Sequence, residues 1–494
     1  MDELKFLHFC PDDGYFGDPM PVYHNGIYHI YYTKLYRGGK PMSWGHISTP
    51  DFIHYSEHPD PFDALSAAAS DVPVEMRRVP FNTGCVYADK DGIFHAFYAG
   101  RDAEGALCMM HARSSDGITF SEYGEICFYR PSAPDSGYRQ DGTWRDPFVF
   151  YDDDARLYRM VFCAKAPEAA DHPDCYAGVI GQAVSEDLEH WTCLAPMSLR
   201  GIGMTMECPE IFRYDDRWVL IYYWHETRFR TSESYDGPWE RGDVISPDRF
   251  DFMAARHMYD GEKHYLVGWL PRRSCDCMER IWGGNMLCVR ELSFADGRTP
   301  QTRFVGSLET VFSEKDPAVT AENAVLCGPG WRVRGDTLYA SSSIGGTMAA
   351  FPTLPDVCRI SFDIAMTDMH GLVDLFLGTH SAYSTEKEYL DEGYVLMLDA
   401  AEGMIRLRRH YMWDQRNDIA VMPYSYAPSK PIHLDILRDR GILEICVDRK
   451  QTMVSRTLSD APGGLAISVQ DTDASVTGLA VYTMVHESQD MQTV

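Results

Sequence analysis

The chain has 494 residues, too many for one hydrophobic core, and its 45% hydrophobic and 13% aromatic content excludes a disordered or low-complexity protein. A formal net charge of -28 sets up a negative field that disfavours nucleic acid and anionic lipid as partners, and Lys and Arg never gather into a run. No stretch reaches the roughly 18 apolar residues of a membrane span, and Met1 to Cys10 lacks the marks of a secretory signal, so a cytoplasmic protein acting on a small neutral substrate is expected.

In chain order, five segments share one pattern of turn, apolar alternation, polar hairpin tip and aromatic-rich strand: Asp18 to Tyr32, Thr83 to Tyr98, Arg145 to Phe162, Glu207 to Tyr223 and Ala255 to Trp269. The hairpin tips are His24-Asn25-Gly26, Asp89 to Gly92, Asp152-Asp153-Asp154, Asp215-Asp216 and Asp260-Gly261, residues that tolerate the positive φ of tight turns. A second turn leads most units to an aromatic: Asp51-Phe52 to Tyr55, Asp116-Gly117 to Phe120, Asp187-Leu188 to Trp191 and Asp236-Gly237 to Trp239. About four short strands per unit, repeated without helical periodicity, predict an all-β fold with a five-bladed β-propeller over residues 1–295. In that architecture the first strand of every blade borders the central channel, so residues opening those strands converge in space.

The pattern weakens over 296–327, which is expected to be a linker with some strand content. Strict alternation returns in 328–494, with Ile360, Phe362, Ile364 and Met366 on one face and Ile432, Leu434 and Ile436 on another, and predicts a C-terminal β-sandwich. Fourteen cysteines are irregularly spaced, and Cys85, Cys163 and Cys446 lie inside apolar runs, as buried thiols do. Cys275 and Cys277 have no second ligand pair, so no metal is expected, and no cofactor either.

The five repeats open on Asp18-Pro19, Thr83-Gly84, Arg145-Asp146-Pro147, Glu207-Cys208-Pro209 and Ala255, so three of the five carry an acid. A lone Asp-Pro is an ordinary turn opener. Three acids at equivalent positions around one channel repel one another and call for a function. Retaining glycosyl transfer supplies one, since it needs a nucleophilic carboxylate and an acid/base carboxyl about 5 Å apart. Crowding and burial also raise one carboxyl's pKa, which suits it to remain protonated.

Asp18-Pro19, Trp44-Gly45-His46, Asp51-Phe52-Ile53-His54-Tyr55, Arg145-Asp146-Pro147, Glu207-Cys208-Pro209, Val267-Gly268-Trp269 and Arg290-Glu291-Leu292 together resemble glycoside hydrolase family 32. That family holds invertases, levanases, inulinases and sucrose-6-phosphate hydrolases. Ile432 to Arg449 looks like the family's β-sandwich, so the resemblance runs over nearly the whole chain. It implies Asp18 as nucleophile, Glu207 as acid/base and Asp146 as transition-state stabiliser. Arg145, Trp44, His46, Thr83, Cys208 and Trp269 are expected at the substrate, a fructoside such as sucrose or a short fructo-oligosaccharide. The sequence departs from the family pattern around the first acid, where Gly17 precedes Asp18 and Met20-Pro21 follow Pro19. Arg37 and Lys40 are expected in a solvated loop, with a phosphate contact as the alternative. Fructosyl transfer, anhydride formation and non-catalytic sugar binding stand beside hydrolysis, and the sequence leaves open whether copies of the chain assemble.

Overall fold

The computed structural model describes residues 7–38, 42–62, 82–102, 104–120, 122–133, 135–140, 143–167, 176–199, 203–273, 280–341, 348–379, 392–411, 418–457 and 463–485. Two compact units result, one of residues 1–245 and 249–301 and the other of 246–248 and 302–494.

The first unit is built from five four-stranded antiparallel blades. Blade two, for instance, is Gly84–Ala88, Phe94–Arg101, Leu107–Ser114 and Glu122–Tyr129. The innermost strands are Gly14–His24, Gly84–Ala88, Trp144–Asp152, Glu207–Tyr214 and Met253–Tyr259, one from each expected repeat. In blade five the third strand is split into Arg280–Met286 and Arg290–Ala295, both paired along His264–Arg273. The ring closes where Phe16 of blade one pairs with Gly284 of blade five, which joins first and last blades in one sheet.

Local chemistry explains why the repeat folds alike each time. At Asn25-Gly26 both φ angles are positive, 49° and 83°, as a two-residue hairpin with right-twisted strands requires. After the third strand of three blades one hydroxyl-and-carboxylate turn recurs: Thr49, Ser114 and Ser185 accept the amides of the two turn residues ending at Phe52, Gly117 and Leu188. Asp51, Asp116 and Asp187 accept the two amides that follow. This turn delivers the aromatic of the outer strand, and Trp191 answers it by donating its indole N–H to the Leu188 carbonyl at 2.9 Å. Aromatic layers then fill the wedges between blades: Tyr31, Trp44, Phe62, Tyr98 and Phe120 in one cluster, and Phe97, Trp144, Phe162 and Trp191 in the next. Side chains of that size bury about 150–250 Å² each, and they dominate the cohesion of neighbouring blades.

The second unit is two antiparallel sheets of eight and seven strands. Ile360, Phe362, Ile364 and Met366 of Val357–Met366 are all buried, as are Ile432, Leu434 and Ile436, so the alternation read from sequence marks the core face. Residues 296–327 hold the strand Thr299–Phe304, the one-turn helix Ser307–Val311 and two short strands, Glu314–Lys315 and Val325–Cys327, each paired into a sheet of this unit. Cys275 and Cys277 lie outside the described residues, and the described cysteines are all free thiols. Among the described residues no helix is long and apolar enough to cross a membrane.

Candidate active site

Four of the five innermost strands are interrupted near their start by the same irregularity. Register is lost between Phe16 and Pro19, between the partners of Arg145 and Phe148, between Glu207 and Glu210, and between Met253 and Arg256. Two residues loop out each time: Gly17-Asp18, Asp146-Pro147, Cys208-Pro209 and Ala254-Ala255. Pro147 and Pro209 have no N–H to offer a ladder, and they sit where none is needed, at a bulge in the strand that forms the inner edge of its blade. Asp146, Cys208 and Ala254 take the left-handed conformation there, with φ of 57°, 46° and 43°. A non-glycine residue held in this region costs about 1–3 kcal/mol, and such strain concentrates at functional sites.

The bulges bring the three predicted acids together. Asp18 accepts a hydrogen bond from the Thr83 hydroxyl at 2.6 Å on one oxygen and from the Trp269 indole N–H at 2.9 Å on the other. The Cys208 thiol lies 3.9 Å from the same carboxylate. The backbone amide of Cys208, freed from the ladder by the bulge of blade four, donates to Asp146 in blade three at 3.1 Å. Arg145 spans the other two acids: its Nη2 is 2.6 Å from Glu207 Oε1 and its Nε is 3.5 Å from Asp146 Oδ2. Thr205 adds a hydroxyl to Glu207 at 3.2 Å. All five blades therefore contribute: acids from the first, third and fourth, Thr83 from the second and Trp269 from the fifth.

Electrostatics follow from this packing. Burial pushes the Asp146 carboxyl up to about 6, with Arg145 pulling it down and Glu207 adding to the rise. Burial also lifts Asp18 above the usual carboxylate range, against the hydrogen bonds from Thr83 and Trp269 that favour its ionised form. Glu207 is more open, with 32% of its side chain exposed against 4% for Asp146. The constellation thus holds a fixed, doubly hydrogen-bonded carboxylate, a second and more accessible carboxyl on an arginine and a hydroxyl, and a third, nearly buried acid held by Arg145 and the Cys208 amide.

Of the residues expected at the substrate, Arg145 sits among the acids with part of its guanidinium exposed, while Thr83, Cys208 and Trp269 are buried and act on Asp18 and Asp146. Trp44 and His46 correct the expectation. Trp44 is 0% exposed, donates its indole N–H to the Asn82 carbonyl and packs edge-on against Phe62 and Tyr98. His46 is 0% exposed and stacks on Tyr31 at 4.2 Å and on His58 at 4.4 Å, and its pKa is driven down to about 2 by burial and by its histidine neighbours. Both fill the wedge between blades because their strand, Ser43–Thr49, is the third from the axis. Arg37 lies over the Tyr15 ring at 4.8 Å, and Lys40 falls outside the described residues.

Sequence reasoning missed several groups. Trp282 covers Gly17: a Cβ there would lie 2.4 Å from the indole, which explains why glycine precedes the acid. Tyr223 stands close enough to Asp18 and Glu207 for both charges, after burial, to raise its phenol pKa. Beneath the acids, Arg256 and Glu210 form an ion pair at 0% and 1% exposure, and Arg256 also donates to the Gly84 carbonyl at 3.2 Å. Two charged residues inside apolar innermost strands were the available signal.

A five-bladed propeller with paired carboxylates at the channel end of its innermost strands defines a glycoside hydrolase. The glycosyl hydrolases family 32 N-terminal domain matches residues 8–303, and the chain belongs to that family. It is similar to the sucrose-6-phosphate hydrolase of Escherichia coli, 25% identical over 60% of this chain and 63% of that enzyme. The sucrose-6-phosphate hydrolase of Vibrio alginolyticus is 23% identical over 92% of this chain and 86% of its own length. Among solved structures, the fold resembles sucrose-6-phosphate hydrolase from Lactobacillus gasseri, with a TM-score of 0.69 at 16% identity over 97% of this chain and 93% of that one. Exo-inulinase from Aspergillus awamori gives a TM-score of 0.68 at 16% identity over 97% and 98%.

Proposed function

We propose that the chain is an exo-acting β-fructofuranosidase that releases terminal fructosyl units from sucrose or short fructo-oligosaccharides with retention. The observation that carries this reading is the Asp18 carboxylate, both of whose oxygens are hydrogen-bonded, by Thr83 and Trp269, beside a Glu207 that remains partly open to solvent. Asp18 forms a bond to the anomeric carbon as the glycosidic C–O bond breaks, and Glu207 delivers a proton to the departing oxygen. Glu207, now a carboxylate, then takes a proton from the water that displaces Asp18. Asp146 accepts hydrogen bonds from ring hydroxyls, which tighten as positive charge develops on the sugar.

A neutral substrate fits an envelope of net charge -28 in which Arg37 rests on the Tyr15 ring. The test is a hydrolysis screen of sucrose, 6-phosphorylated sucrose and short fructans, with Asp18→Asn and Glu207→Gln as controls. Release of fructose from the unphosphorylated sugars, lost in both variants, is expected. Full activity in Asp18→Asn removes the nucleophile, and turnover of the phosphorylated sugar alone replaces the substrate.

A further inference from the structure

The propeller carries a second concavity at the other end of its innermost strands. A cavity of about 680 Å³ is lined by residues of those strands that lie beyond the bulges, toward the hairpins. That volume falls in the range of roughly 300–1,000 Å³ typical of small-molecule sites. Along the innermost strands, the buried Arg256–Glu210 pair falls between the bulges and the residues that line this cavity, and Arg256 lies 5.7 Å from the centre of the lining Phe148 ring.

Four blades place a tyrosine at matching points of the wall, Tyr23, Tyr87, Tyr151 and Tyr259, and the fourth blade places Arg213 there, stacked on Trp218 at 4.8 Å. Tyr151 and Tyr259 are 41% and 49% exposed, large values for aromatics on innermost strands of a propeller. Each leans on a neighbouring ring and so holds its orientation: Tyr151 on Tyr158 at 5.0 Å and Tyr259 on His264 at 4.4 Å. Two of the three acids at the rim are paired, and Asp153 stands between them. Asp152 binds Arg159 at 2.5 Å, and Asp154 lies 3.7 Å from Arg213.

We propose that this cavity is a non-catalytic binding site for a neutral oligosaccharide. Tyrosines combine an apolar face, complementary to the C–H faces of sugar rings, with a hydroxyl that exchanges hydrogen bonds with sugar hydroxyls. Carboxylates and Arg213 at the rim offer acceptors and donors to sugar hydroxyls, and the strongly negative protein excludes anions. A site on the same rigid ring as the catalytic acids, but separated from them, would keep a longer chain attached between cleavages.

The experiment uses the full-length Asp18→Asn protein, so that sugars are bound and not consumed. Calorimetric titration with an inulin-type fructo-oligosaccharide, maltohexaose and cellohexaose is compared before and after adding Tyr151→Ala and Tyr259→Ala. Loss of the two anchors is expected to weaken binding of one of these sugars about tenfold or more. In the otherwise wild-type chain the same pair should leave kcat/KM on sucrose unchanged. Binding of all three sugars unaltered by the double substitution, or choline chloride binding where the sugars do not, overturns the proposal. Thermal unfolding of the double variant checks that the exposed positions leave the fold intact. Failure here leaves the Asp18 assignment standing, because that rests on turnover and not on this titration.

Discussion

Asp146→Asn should make the enzyme more stable while disabling it. The buried carboxyl is raised from 3.8 to about 6, so the folded state holds its proton in a pH window where the unfolded chain has released it. Its burden is absent below about pH 4, grows between about pH 4 and 6, and is fully present above that. About two pKa units at roughly 1.4 kcal/mol each place the destabilisation near 3 kcal/mol at neutral pH. The amide removes that charge at 3% exposure, leaves Arg145 its 2.6 Å contact with Glu207, and gives the Cys208 amide a carbonyl acceptor in place of the carboxylate. Calorimetric unfolding of parent and variant between pH 4 and 7.5 should show curves that coincide at the acid end and diverge to roughly 5 °C at neutral pH. Fructoside turnover should fall about a thousandfold, the several kcal/mol expected of a group that grips the transition state. A variant less stable than the parent at pH 7, or a gain that does not change with pH, would refute the reasoning.

Other outcomes follow from the same geometry. Thr83→Val removes a donor that favours ionised Asp18, so the acid limb of the kcat/KM profile should move to higher pH; an unmoved limb separates Thr83 from the nucleophile. Arg256→Met leaves Glu210 buried without its cation and should cost about 3–5 kcal/mol in chemical unfolding, much of it recovered when Glu210→Leu is added. Gly17→Ala forces the Trp282 ring aside and should cost about 1–3 kcal/mol together with activity, whereas unchanged kinetics would show that the indole yields freely. His46→Asn should lower the melting temperature and leave KM unchanged, because its ring is packed against Tyr31 and reaches no sugar.

The sequence by itself determined the strand periodicity, the hairpin tips and the recurrence of an acid at the head of three innermost strands, because these depend on local preferences: positive φ at Asn25 and Gly26, proline where no amide is needed, alternation where one face meets a core. From those it followed that Asp18, Asp146 and Glu207 share one site. Only the tertiary structure decided which side chains face the sugar and which face a neighbouring blade. Trp44 and His46 sit beside the motifs in sequence but on a third strand, so the wedge between blades claims them. Trp282 reaches Gly17 only through ring closure, and Arg256 meets Glu210 and the Gly84 carbonyl only across blades, long-range contacts that no local pattern encodes; Tyr223 is the hairpin partner of Glu207, so its place beside the acids needed only the strand register.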